Sequence, residues 1–233
     1  MSEDVLGKTP AGLNRPPELT VQELFHADKK TIESFRAAIG RSNGLILLLV
    51  HPYYTDNYKW SEDEEESRAA AERTTRRIDA FISSESKVKP PIIVFEGEGK
   101  TADTMGYLRE IAPNTEVLVA STMNGAPVPI LPGSKNMYSS REQERAWKQM
   151  KASLHHLGVK KILLGGMYLG SHTWKGRPYL NLFSCVGDTN NALKNEFEVE
   201  MSSLTYPLTR KDYLRTLREE SARPKPAGSG QQK

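Results

Sequence analysis

The sequence predicts an α/β fold: a mostly parallel sheet with helices on both faces, as in a Rossmann-like three-layer sandwich. Two observations predict it. Short apolar runs alternate along the chain with segments of helical periodicity, which favours right-handed strand–helix–strand crossovers. The first run, Leu45 to Val50, has no polar position, which is typical of a strand buried on both faces.

The first predicted element is a helix from Thr20, which can cap it, to about Arg41. The apolar strand 44–50 follows. The capping-box pattern Ser61 to Glu64 then opens a second helix. The buried stripe predicted for this helix consists of Ala70, Thr74, Ile78, Phe81 and Ile82.

The alternation continues through the rest of the chain. Strands are predicted at 92–95, 116–120 and 161–164, and helices at 101–112, from 140 to a stop at Gly158, and from about Cys185. The segment 197–201 alternates apolar and polar residues, as a half-exposed edge strand does.

The predicted domain organisation is simple. A disordered arm at 1–18 precedes one α/β domain at 19–208, and a peripheral helix at 209–223 leads into a disordered tail at 224–233. An insertion at 168–183 is predicted to form a hairpin or lid, or an oligomer contact.

Charge and composition favour some classes of partner over others. The net charge is +3. Seven basic and three acidic residues lie in 209–233, so the basic excess belongs to this C-terminal segment. Proteins that bind nucleic acid specifically carry their positive charge on the folded surface, so no specific nucleic-acid partner is expected for this chain. No apolar run reaches the ~20 residues that cross a bilayer. A single cysteine fits a reducing, cytoplasmic location. The sequence leaves open whether the chain forms a homo-oligomer.

Ligands of parallel sheets bind at the carboxyl ends of the strands, and polar residues follow four of the predicted strands. Cys185 is the candidate nucleophile, and His51 is its candidate base. The predicted substrate-binding residues are Tyr53, Asp56, Glu96, Thr122 and Gly166.

Cys185 begins a predicted helix, where the unpaired N–H groups favour a thiolate and lower the pKa of the thiol. These N–H groups can also hold an oxyanion. The alternative is that Cys185 is a small buried apolar residue, which is common for a lone cysteine.

The stretch Cys185-Val-Gly-Asp-Thr189, after a strand that ends in Gly165-Gly166, resembles the isochorismatase-like cysteine hydrolases. Lys135, placed before a long helix, is similar to the catalytic lysine of that family. The resemblance implies that Cys185 attacks a carbonyl or imine carbon and that Lys135 stabilises the developing negative charge.

Three features depart from that family. The position of its catalytic aspartate is His51 here, 18 residues separate Gly166 from Cys185, and Asn190 replaces the alanine that follows the threonine. His51 offers another arrangement, because a neutral imidazole can serve as the base of a Cys–His pair. Alternatively, His51 only hydrogen-bonds a loop carbonyl.

The sequence therefore predicts a cysteine-dependent hydrolase of small carbonyl or amide compounds. The alternative is a non-catalytic Rossmann-like domain that binds a nucleotide, sugar or peptide. No metal site and no cofactor are expected, because neither ligand spacing nor a dinucleotide fingerprint occurs. Gly99-Lys100-Thr101 precedes a helix and can hold an anion there.

Overall fold

The computed structural model describes residues 17–53, 64–84, 89–97, 99–123, 127–131, 139–167, 171–174, 177–180 and 185–205. The strands are β1 Leu45–Val50, β2 Ile92–Gly97, β3 Val117–Thr122, β4 Lys161–Gly166, β5 Ser171–Trp174, β6 Arg177–Leu180 and β7 Glu198–Thr205. The helices are α1 Pro17–Leu24, α2 Lys29–Arg41, α3 Glu64–Ser83, α4 Thr101–Ile111, α5 Ser140–Leu157 and α6 Cys185–Leu193.

The main sheet confirms the predicted fold class. It has five strands in the order β3-β2-β1-β4-β7, and every neighbouring pair is parallel. The chain runs from β1 outward to β3 and then returns to the other side of β1 with β4. The order therefore reverses between β1 and β4 at the centre of the sheet.

The sheet is covered on both faces, because successive residues of each strand point to opposite sides. Ile46, Leu48 and Val50 of β1 pack with side chains of α1, α2, α5 and α6, and we call this side the packed face. Leu47 and Leu49 pack with side chains of α3 and α4, and we call this side the cavity face.

The prediction of one helix from Thr20 to about Arg41 is wrong in its length and in its start. Two helices replace it, and α1 begins at Pro17 rather than Thr20. Asp28 accepts a hydrogen bond from the Thr31 backbone N–H at 2.7 Å, which caps α2 and favours a new helix there over continuation of α1. The large apolar residues of this segment are nevertheless buried: Leu24, Phe25, Ile32, Phe35 and Ile39.

One predicted core residue of α3 is wrong. Thr74, Ile78 and Ile82 are buried as expected, whereas Phe81 is 38% exposed. The buried residues form a single row spaced by four, which lies along the contact line with the sheet. Phe81 lies to one side of that row and faces out.

Two local predictions are confirmed. Gly158 ends α5 with φ +90°, a left-handed conformation that favours glycine. β5 and β6 form an antiparallel hairpin within the insertion, and its role as a lid stays a prediction. Residues 17 and 18 of the predicted disordered arm 1–18 belong instead to α1. Residues 1–16 of that arm, the Ser61 cap, the helix at 209–223 and the tail lie outside the described residues.

Among the helices described, none combines the length and the apolar character needed to cross a bilayer.

Candidate functional site

A cavity of about 570 Å³ opens at the carboxyl edge of the sheet on the cavity face. The ends of β1 and β2 contribute Tyr53 and Glu96, Lys100 precedes α4, and the other described lining residues lie on α3 and α4. The residues that line it are Tyr53, Glu72, Thr75, Arg76, Glu96, Lys100, Asp103, Thr104 and Tyr107.

Glu96 is the buried acid of this cavity. Its residue surface is only 6% exposed. One carboxylate oxygen, Oε1, accepts from the Gly97 backbone N–H at 2.9 Å, and Oε2 accepts from the Thr104 hydroxyl at 3.0 Å. Burial raises the pKa of Glu96, although these hydrogen bonds and the nearby Lys100 charge oppose the rise. The strand end and the start of α4 thus hold one desolvated carboxyl group in a fixed orientation.

Two tyrosines form an aromatic wall beside it. The rings of Tyr53 and Tyr107 meet edge to face, with centroids 5.0 Å apart and planes at 86°. Such a pair is a favoured aromatic geometry. Since Tyr53 follows β1 and Tyr107 lies on α4, this contact joins the loop after the central strand to the helix.

Asp79 of α3 stands behind the tyrosines. Its Oδ2 accepts from the Tyr107 hydroxyl at 2.8 Å. The Tyr53 hydroxyl is also buried and lies near this carboxylate, but outside the geometry of a hydrogen bond. Burial raises the pKa of both phenols, to about 12 for Tyr107, and the Asp79 charge adds to the rise. Burial raises the pKa of Asp79 as well.

Helix α4 begins at Thr101, directly after Lys100, as the sequence predicts. Lys100 precedes the helix without a side-chain capping bond, and Gly99 has φ +85°. Lys100 also lines the cavity. The anion site expected there stays a prediction.

His51 closes the end of β1 as a neutral ring. It is 8% exposed with φ +46°, and its backbone N–H extends the β1–β2 ladder to the Phe95 carbonyl at 2.8 Å. The Thr122 hydroxyl donates to the Glu96 carbonyl at 3.1 Å, so the 3.0 Å contact between His51 Nε2 and Thr122 Oγ1 assigns the proton to Nε2. Burial lowers the pKa of His51 to about 4.

Thr122 and Gly166 have structural roles. Thr122 is fully buried, so its hydroxyl presents no surface to a substrate in this structure. Gly166 has φ +121°, and a Cβ there would lie 2.0 Å from the Val50 carbonyl oxygen. The close approach of β4 to β1 therefore requires glycine.

Cys185 begins α6, as the sequence predicts, but the expected thiolate is wrong. The side chain packs against the buried apolar group of the packed face. Burial raises the pKa of Cys185 to about 12, and the Asp188 charge adds to the rise. Desolvation therefore outweighs the positive helix end, because a buried thiolate loses its hydration.

The proposed Cys–His pair is poorly matched in this structure. Burial raises the pKa of Cys185 and lowers the pKa of His51, and both shifts oppose moving the proton from sulfur to imidazole. Lys135 and Asp56 lie outside the described residues, so their predicted roles have no structural test. Of the predicted substrate-binding residues, the cavity brings Tyr53 and Glu96 together.

The sequence reasoning missed the helical side of the cavity. Thr75, Arg76, Thr104 and Tyr107 are not among the apolar residues that predict the buried sides of α3 and α4. The available signal was Tyr107, an aromatic residue beside Leu108 on α4. Within the described part of the chain, no three His, Cys, Asp or Glu residues are grouped as metal ligands.

Comparison of the chain with protein-family models, curated proteins and solved structures finds no match. The resemblance to the isochorismatase-like hydrolases therefore stays a prediction.

Proposed function

We propose that this chain is a ligand-binding α/β domain whose small-molecule ligand occupies the cavity between α3 and α4. The observation that carries the proposal is the cavity itself, at the carboxyl edge of a parallel sheet, where such sheets bind their ligands. Its volume of about 570 Å³ falls within the usual range for small-molecule sites.

The lining has the composition of a specific site. Tyr53 and Tyr107 supply apolar area, while Glu96 and the Thr75 hydroxyl supply polar groups. Thr75 Oγ1 is buried without a hydrogen-bond partner in the described part of the chain. Because a buried polar group without a partner costs free energy, a ligand that satisfies it gains affinity.

A fragment screen by NMR tests this proposal. We expect the fragments that bind to shift the amide signals of Gly97, Thr104 and Tyr107. Thr75→Trp fills the cavity and should abolish those shifts, whereas Ala80→Trp, on the exposed surface of the same helix, should preserve them. Fragments that bind a folded Thr75→Trp protein as well as they bind the parent would overturn the proposal.

The cysteine hydrolase is the competing function, and it requires a reactive thiol. Cys185 is the single cysteine, so iodoacetamide reports on it alone. With the pKa raised to about 12, we expect alkylation of the folded chain at pH 8 to be roughly 100-fold or more slower than alkylation of the unfolded chain. If the folded chain is instead alkylated as fast as the unfolded chain, that result would favour the hydrolase.

A further inference from the structure

The charges of the cavity are unevenly distributed between its rim and its interior. Arg76 and Glu72 on α3 lie 4.0 Å apart as an exposed i,i+4 pair, so they largely neutralise each other at the rim. Glu96 lies inside, and the Asp79 carboxylate stands behind the tyrosine wall. The other charged residues among the described lining are Lys100 and Asp103. Among the described residues the balance of charge is therefore acidic, and the most buried of these charges is an acid.

The Glu96 carboxylate keeps acceptor capacity for a ligand. Its two described hydrogen bonds come from neutral donors, the Gly97 N–H and the Thr104 hydroxyl. Each carboxylate oxygen can accept two hydrogen bonds, and the described residues supply one to each oxygen. A buried carboxylate is best stabilised by a cation that hydrogen-bonds to it.

The tyrosine wall adds a second feature that recognises cations. Tyr53 and Glu96 line the same cavity, and the charges of Glu96 and Asp79 both act on the Tyr53 hydroxyl. The face of a tyrosine ring attracts an ammonium group, most strongly where water is excluded. A carboxylate and an aromatic ring that line the same cavity both favour a positively charged group.

We propose that the ligand of this cavity carries a protonated amine, which binds Glu96 and lies against Tyr53. This inference rests on the proposed function. An anionic ligand held by Lys100 is the alternative, and it is less favoured because it would place a second negative charge beside Glu96.

Three probes of similar size separate these chemistries: 2-phenylethylamine, 2-phenylethanol and phenylacetate. We expect the amine to bind about tenfold or more tightly than the alcohol, since hydrogen bonds to charged groups are the stronger ones. Glu96→Gln keeps the shape of the side chain but removes its charge, so it should remove that preference. NMR titration of the Gly97 and Thr104 amides measures all three affinities.

Wild-type protein provides a second measurement that does not depend on folding of the variant. The amine competes with a proton for Glu96, so its affinity should fall as the pH is lowered through the raised pKa of Glu96. The affinity of the alcohol should stay constant over the same range.

Tighter binding of phenylacetate than of the amine, or an amine preference that Glu96→Gln retains, overturns the amine inference and leaves the cavity as a ligand site. If no probe and no fragment of the screen shifts the cavity amides, the amine inference and the proposed function both fall.

Discussion

The two faces of the sheet are filled in different ways. The packed face is closed by large apolar side chains, among them Phe25, Phe35 and Met150, and the partly buried Cys185 packs against this cluster. On the cavity face, α3 and α4 cover β1 and β2 but leave a cavity of about 570 Å³ at the carboxyl edge. The comparison teaches that the chemistry expected of Cys185 falls on the side built for packing, whereas the polar groups with room for a ligand are on the other side.

The largest expected effect tests the packed face. Phe95 is fully buried and lies against Trp147, with ring centroids 6.0 Å apart. Phe95→Ala should lower the free energy of unfolding by about 3–5 kcal/mol, through lost burial and a new void. Phe81→Ala, at the exposed phenylalanine of α3, should change it by less than about 0.5 kcal/mol. Denaturant unfolding measures both, and equal losses would contradict the assignment of Phe81 to the surface.

The stability of the fold should depend on pH through His51, which follows β1 at the carboxyl edge of the sheet. The folded state lowers the pKa of His51 to about 4, so between the ordinary value near 6.5 and about 4 the unfolded chain binds a proton that the folded chain does not. Stability should therefore fall by on the order of 3 kcal/mol as the pH drops through that window.

His51→Asn is the matched control for this pH effect. Asparagine tolerates a positive φ and does not titrate, so the difference in pH slope between the two proteins isolates the imidazole from Glu96 and Asp79, whose raised pKa values act in the opposite direction. Identical slopes would mean that His51 is not held neutral.

A pair of glycines separates steric from conformational cost. Both Gly166 and Gly99 have positive φ, but a Cβ at Gly166 would meet the Val50 backbone, whereas at Gly99 nothing lies within 4 Å. Gly99→Ala should cost about 1 kcal/mol. Gly166→Ala should cost more than about 1 kcal/mol beyond that, because β4 must move away from β1. Thermal unfolding gives both values, and similar losses would argue against the close β1–β4 approach.

The smallest expected effect tests the tyrosine wall. Asp79→Asn removes a carboxylate that raises the pKa of Tyr107, so that pKa should fall from about 12 part of the way toward 10. Burial also raises this pKa and persists in the variant. NMR titration of tyrosine ring carbons follows the change, and an unaltered Tyr107 signal would contradict the 2.8 Å contact with Asp79.

The fold was predictable because its strands carry unambiguous signals. The run at Leu45 to Val50 is apolar throughout because β1 has paired strands on both edges and helices on both faces. The break before Lys29 was harder, since the apolar spacing continues across it and the side chain of Asp28 alone marks the new start. For Phe81, helical periodicity gives the buried side of α3 but not the width of its contact with the sheet.

The candidate site was predictable only in part. The rule that parallel sheets bind ligands at their carboxyl ends selected Tyr53 and Glu96, which the cavity includes. The pKa of Cys185 was not predictable, since a helix start lowers it and burial raises it, and only the tertiary structure shows how much water reaches the sulfur. The α3 and α4 lining depends on how two helices sit beside each other, which a one-dimensional pattern does not encode.

The central position of β1 has a consequence for how the molecule opens. Its amides hydrogen-bond between two strands and beneath two helical layers, so they can exchange with deuterium only when the whole sheet comes apart. Exchange at Leu47 to Val50 should therefore report global unfolding. The amides of α4, bordering a void on one side, should exchange through smaller openings, and a bound ligand should slow α4 before it slows β1.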